Sequence, residues 1–260
     1  MLHIERITIP NSFKNYNHLL VCTETKEAMM VDPTDASRCM AVAEENGWRI
    51  TQLVNTHEHG DHICGNSDIV KAHHCPLSAP ASAKKTIPQV DHWLEHGDIV
   101  KVGNIELQVL DTPGHTMSHI CLYHKGENPA LICGDTLFNA GVGNCYSGDP
   151  EILYESIKVL LFPLPDDTRI YPGHDYIETN LGFAAKREPD NTYITELLDE
   201  VSQQNPDTRL VTSLELERKM NPFFRLKSPS IRKTLLAEFP EMGNSDKEVF
   251  IHLRKLRDSW

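Results

Sequence analysis

Thr56-His57-Glu58-His59-Gly60-Asp61-His62 sets the imidazoles of His57, His59 and His62 and the carboxylate of Asp61 within seven residues, with Glu58 between them. The stretch follows Ile50-Thr51-Gln52-Leu53-Val54, an apolar, β-branched run that reads as a buried strand, so the cluster belongs to a loop at a strand's end. An apolar core does not accept four such groups unpaired. His57 and His59, two apart on an extended backbone, project to one side and can grip one ion. Asp61 and His62 follow where the chain turns, placed for a second ion beside the first. The stretch reads as a metal site.

Three further strand ends carry the same kind of residue. Ile105–Leu110 leads to Asp111-Thr112-Pro113-Gly114-His115, Ala130–Cys133 leads to Gly134-Asp135, and Thr168–Tyr171 leads to Pro172-Gly173-His174. One histidine at a strand end is usually a local hydrogen-bonding device. Four such ends in order describe a site assembled along one edge of a sheet. His57, His59 and His115 suffice for one ion, and Asp61, His62 and His174 make a second set. Asp135, with two oxygens, can bridge them. Ions about 3.5–4 Å apart would share a water, bring its pKa toward neutrality and polarise a carbonyl. Asp61 and Asp135 with a metal-bridging hydroxide are thus the expected catalytic groups, and the chemistry expected is hydrolysis. The cofactors expected are two divalent ions, zinc first, with iron or manganese also suited to imidazole and carboxylate donors.

Elsewhere the first half alternates strands and helices. Residues 4–9, 15–22, 28–31 and 119–124 read as strands, 35–47 and 150–162 as helices, and Gly103-Asn104 as a hairpin turn between 98–102 and 105–110. Beyond about residue 178 strand signals vanish. Helical stretches at 178–188, 192–204, 213–220, 228–238 and 246–257 are punctuated by Pro189, Pro206, Pro222, Pro229 and Pro240. The expected division is a catalytic domain over 1–177 and a helical substrate-binding domain over 178–260.

These motifs resemble the metallo-β-lactamase superfamily, whose signature is His-x-His-x-Asp-His, then a His, a bridging Asp and a final His. The resemblance implies an α/β fold, an αββα sandwich with metals along one edge. Within the superfamily the chain is similar to the glyoxalase II family of hydroxyacylglutathione hydrolases, on Thr56–His62, Thr112–Thr116, Gly134–Phe138, Tyr171–His174, Asn221-Pro222-Phe223-Phe224-Arg225 and Arg254–Asp258. It implies hydrolysis of S-(D)-lactoylglutathione to D-lactate and glutathione. It also implies a glutathione site at the lobe junction, where Tyr146, Tyr176, Arg254 and Arg257 fall at matching places. Asn144 stands where the family's lysine is expected, which removes a charge-assisted bond to a glutathione carboxylate. Another acyl thiol is therefore an alternative substrate, and a persulfide dioxygenase with one iron is an alternative chemistry.

His92 and His96, four apart, would share a helix face, but no carboxylate–histidine set accompanies them and a surface role is expected. His73-His74 reads as a helix end, His119 as a structural residue beside the site, and Cys64 as packing. The formal net charge of −12 argues against a nucleic-acid binder. No apolar run reaches the roughly 18 residues of a membrane span. Met1–Arg6 has no signal-peptide character, and seven scattered cysteines suit a reducing compartment, so a cytoplasmic monomer or weak homo-oligomer is expected.

Overall fold

A computed structural model describes residues 1–260. Two sheets face each other. The first runs β1(Leu2–Thr8), β2(Tyr16–Cys22), β3(Glu27–Val31), β4(Arg49–Val54), β5(Leu77–Pro80) and β6(His92–Leu94), in that order. The second has five strands. Its order is β13(Arg169–Pro172), β10(Ala130–Gly134), β9(Ile120–His124), β8(Ile105–Asp111) and β7(Ile99–Val102). A small hairpin, β11(Leu137–Phe138) with β12(Gly141–Val142), follows β10.

The period of two explains the layering. In β2, Leu20 and Cys22 face the second sheet, where they join Val109, Leu122, Ile132 and Tyr171. Leu19 and Val21 face outward onto α1(Ala36–Glu45) and α3(Asn66–His73), with Cys39 and Ile69. Alternate residues of the second sheet (Cys121, Leu131, Cys133 and Ile170) turn the other way. They pack on α4(Pro150–Ser156) and on the C-terminal helices through Leu153, Phe223 and Phe250. Helix, sheet, sheet, helix is the αββα sandwich.

The C-terminal part has α5(Ile177–Arg187), α6(Thr192–Ser202), α7(Leu214–Met220), α8(Pro229–Glu238) and α9(Asp246–Asp258), close to the five stretches expected. Ser245 and Glu248 close a capping box at the start of α9, which fixes where that helix begins.

His92 and His96 are exposed, as expected, and share no helix: His92 opens strand β6, and His96 Nδ1 accepts the Asp111 N–H at 3.2 Å. Two expectations need correction. The segment over 150–162 is not one α-helix: after Ser156 it widens into a π turn, Ile157–Leu161. Cys64 is exposed and packs into no core. Strands β5 and β6 lie outside the expected set, and Leu77-Ser78-Ala79-Pro80 shows why: it has no β-branched residue and ends in proline. All seven cysteines are unpaired, and no helix is long and apolar enough to cross a membrane.

Candidate metal centre

β3 and β4 run parallel, as do β10 and β13, while β8 and β10 both pair antiparallel with β9. The ends of these strands therefore deliver side chains to common edges, and the edges meet. His57 lies three residues past β4, Asp135 directly after β10, and His174 two past β13. His115 follows β8 after the three-residue turn Thr112-Pro113-Gly114. Asp61 and His62 sit on the one-turn helix α2(Gly60–Ile63).

The structure brings all seven expected donors together. His57 Nε2 is 3.1 Å from His59 Nδ1, and His115 Nε2 is 3.0 Å from the same nitrogen. His62 Nε2 and His174 Nε2 stand 3.2 Å apart, each 3.6 Å from Asp61 Oδ2. Asp135 spans both groups. Its Oδ2 is 3.4 Å from His115 Nε2 and 3.1 Å from His174 Nε2, and its Oδ1 is 3.5 Å from His62 Nε2.

The outward nitrogens decide what the inward ones are. His115 Nδ1 donates to the Asn144 carbonyl at 2.7 Å, and His174 Nδ1 to the Phe13 carbonyl at 2.8 Å. A carbonyl only accepts, so both rings carry their proton there and turn an Nε2 lone pair inward. Thr56 donates its hydroxyl to Asp32 Oδ2 at 2.6 Å, so its oxygen accepts from His57 Nδ1 at 2.9 Å, with the same result. Asp32 Oδ2 also takes His62 Nδ1 at 3.1 Å. His59 is reversed: Nε2 meets Ser147 Oγ at 2.8 Å and Nδ1 faces in. Lone pairs 3 Å apart repel unless a cation lies between them, and metal-ligating histidines are oriented by such outer partners.

Charge tells the same story. Asp135 Oδ1 is buried with no hydrogen-bond partner. Burial opposes ionisation of this carboxyl, but His174 and His62 outweigh it and hold its pKa well below the usual carboxylate range. Burial likewise disfavours a charged His62, yet Asp135 and Asp32 on either side hold its pKa well above the ordinary value. Positive charge is what this position demands. The donors fall into His57/His59/His115/Asp135 and Asp61/His62/His174, and the residues present fit a pair of divalent ions.

Several supporting residues escape a reading of the sequence. Asp32, at the end of β3, accepts the Thr56 N–H at 2.7 Å as well as the Thr56 hydroxyl and His62. It sits at a strand end like the four donors, and that rule would have found it. Asn15 donates to Asp61 Oδ2 at 2.9 Å. His119, expected as a structural residue beside the site, is buried, accepts the Asp135 N–H at 3.0 Å and stacks on His57. Replacing Asp32 with alanine strands the buried Thr56 N–H, at about 1–3 kcal/mol of stability, and unties His62. Metal affinity should fall roughly 10–100-fold in competition with a chromogenic chelator. Unchanged affinity would show that packing alone orients His62.

Beside the donors lies a groove of about 200 Å³ lined by Phe138, Asn144, Tyr146, Tyr176, Arg254 and Arg257 among others. All five residues expected there are present. Tyr176 stacks on His174 with ring centroids 4.9 Å apart. Tyr146 is 77 % exposed. Arg257 Nε donates to Asn180 Oδ1 at 3.0 Å. Arg254 is buried, with its donors engaged by protein groups.

The sequence model of the metallo-beta-lactamase superfamily matches residues 14–174, and that of the hydroxyacylglutathione hydrolase C-terminus matches 175–260. A hydroxyacylglutathione hydrolase of Nitrosococcus oceani is 50% identical over 99% of both chains, and one of Polaromonas sp. is 47% identical over the same shares. The crystal structure of ETHE1 from Myxococcus xanthus superposes with a TM-score of 0.68 at 24% identity, over 99% of each chain, and shares the fold. The two sequence models together span residues 14–260, and the chain belongs to the hydroxyacylglutathione hydrolase family of the metallo-beta-lactamase superfamily.

Proposed function

We propose that this chain hydrolyses glutathione thioesters of hydroxy acids, S-(D)-lactoylglutathione first among them, to the free acid and glutathione. The observation that carries this reading is a shared wall between donor cluster and groove. Tyr176 stacks on His174, and the Asn144 carbonyl holds His115. A thioester carbonyl at the cluster therefore leaves its thiol half in the groove. The relatives named as hydroxyacylglutathione hydrolases support the same substrate class.

His57, His59 and His115 would hold one ion, Asp61, His62 and His174 the other, and Asp135 both. Zinc is the proposed metal. When bound, the pair supplies an activated water near neutral pH and Lewis-acid stabilisation of the oxyanion. The protein's own part is orientation. Phe13, Asn144 and Thr56 fix three imidazoles in one tautomer, and Asn15 fixes Asp61. Arg257 spends Nε on Asn180 and keeps its terminal nitrogens for a ligand carboxylate. The leaving thiol has a pKa near ~8.5, so no strong general acid is required. The second donor set, Asp61/His62/His174, favours this reading over a dioxygenase with one iron.

We place the catalytic domain in 1–177 and the substrate-binding helices in 178–260, in a monomer or weak homo-oligomer. Unpaired thiols suit the cytoplasm.

Metal content and S-D-lactoylglutathione turnover, measured on one sample, test the proposal. Near two ions per chain with rapid thioester loss is the expected result. One iron with oxygen uptake on glutathione persulfide would overturn it, and two metals with slow turnover would move the substrate to another acyl thiol. Asn144 gives a finer test. Its Oδ1 accepts the Tyr146 N–H at 3.3 Å, which leaves a neutral amide donor where a cation is expected. Asn144→Lys should lower KM for lactoylglutathione by about tenfold, the yield of one charge-assisted bond of roughly 1.5 kcal/mol. An unchanged KM would mean that this side chain does not meet the tripeptide.

A further inference from the structure

The connection between α6 and α7 sends one arginine in beside the donor cluster. Arg209 is buried, and its Nη1 donates to Asp175 Oδ2 at 2.7 Å. Its Nη2 donates to Glu178 Oε1 at 2.6 Å. Asp175 lies between His174, one of the seven donors, and Tyr176, which lines the groove and stacks on His174. The Asp175 carboxylate is buried and its other oxygen has no hydrogen-bond partner, so Arg209 is the one side chain that holds it. Burial opposes the charge on Arg209, but Asp175 and Glu178 outweigh it and raise the pKa of the guanidinium.

The contacts close into a ring. Arg6, on β1, donates from Nη2 to the Arg209 carbonyl and from Nη1 to the Leu210 carbonyl at 3.4 Å. Its guanidinium lies over the Tyr16 ring, 4.5 Å from the centroid. Tyr16 in turn donates its N–H to the Gly173 carbonyl at 2.8 Å, and the Asp175 N–H donates to Lys14 O at 2.9 Å. His174 thus stands between two residues, Gly173 and Asp175, that the ring grips from either side. Lys14 and Tyr16 hold backbone, and Arg209 holds the side chain of Asp175. Removing one member of a buried ion pair leaves the other charge uncompensated. A carboxylate in that state must turn toward water or another donor, and it would pull His174 and Tyr176 with it.

We infer that Arg209 is a positioning residue for the metal centre: paired with Asp175 it fixes the His174–Tyr176 segment, and so makes metal retention depend on the chain between α6 and α7. The inference rests on reading His174 as a ligand. The metal content of the parent tests that reading first, since below two ions per chain reading and inference fall together. With two ions in the parent, the variants test the inference alone, and they do so without thioester turnover.

Arg209→Met, Arg209→Lys and the double variant Arg209→Met with Asp175→Asn, each loaded with zinc, are followed for metal release to a chelator and for thermal unfolding. Arg218→Ala is the control, because Arg218 pairs with Asp166 near the surface, where the side chains are 35 % and 66 % exposed. Arg209→Met should release one of its two ions, the one held by Asp61, His62 and His174, roughly 10–100-fold faster than the parent. Arg209→Lys keeps the charge and one donor for Asp175, and should recover much of the retention. The double variant leaves no buried carboxylate unpaired at this point. It should unfold at a higher temperature than Arg209→Met, yet release that ion equally fast. Arg218→Ala should release both ions at the parent's rate. An Arg209→Met that retains both ions like the parent would overturn the inference. So would parallel loss of both ions, or a double variant that regains retention together with stability, since either marks general destabilisation. If Arg209→Met does not fold, the double variant decides: faster release of one ion supports the inference, and parental release overturns it.

Discussion

An Asp135→Ala protein is expected to hold at most one ion per chain and to lose thioesterase activity by on the order of 10³-fold or more, the scale on which removing one pre-organised electrostatic group acts. The reason lies in position and charge together. Asp135 follows β10 directly, is 5 % exposed, and reaches His115, His174 and His62 with two oxygens. Asp32 meets His62 only on its outward Nδ1, at 3.1 Å. Asp61 is 3.6 Å from His62 and His174 only. Asp135→Asn is the sharper variant, because it keeps the shape and one oxygen while removing the charge and the second acceptor. If bridging is the role, the amide should hold one ion well and the pair poorly. Metal analysis on dialysed protein reads this directly, and an Ala variant that stays active and fully loaded would remove Asp135 from the centre.

The donors are legible in the sequence because metal ligation demands rare residue types in fixed order, and strand ends announce themselves by apolar runs. His57, His115, Asp135 and His174 each follow such a run. The groups that orient them carry no such signature. Asn144 and Phe13 act through backbone carbonyls, which every residue has. Thr56 and Ser147 act through hydroxyls that are common in any loop. Asp32 reads as half of an Asp-Pro turn, and its φ of 50° shows that the turn is real. Its role in holding Thr56 and His62 appears only when β3 and β4 are paired. Arg254 and Arg257 show the same limit from the other side. They are three apart on one helix face, and only three-dimensional contacts reveal that one meets carbonyls and Asp258 while the other meets Asn180. Strands such as β5, rich in small residues and closed by proline, are fixed by the neighbours they pair with, not by their own propensity.

Gly173→Ala adds a single methyl group and is expected to cost nearly as much as losing a ligand. The glycine is not there for its backbone freedom, since its φ is not positive. A Cβ at this position would lie 2.3 Å from Asp135 Oδ1 and 2.8 Å from His62 Cε1. The backbone cannot withdraw to make room. The Gly173 N–H donates to Gly134 O at 2.8 Å, and its carbonyl accepts the Tyr16 N–H at 2.8 Å, so the peptide is pinned between β10 and β2. The carboxylate must move instead, away from the one place where it meets both donor sets. A misplacement of about 1 Å at a reacting centre costs on the order of 10²-fold in rate, and loss of one ion should accompany it. Gly182→Ala is the natural control. It lies within α5, has open space where the added methyl would sit, and gains helix propensity of about 1 kcal/mol. It should be at least as stable as the parent and equally active. A Gly173→Ala protein with parental metal content and turnover would show that Asp135 can reach both ions from a second position, and that close packing by β13 does not set the geometry of the centre.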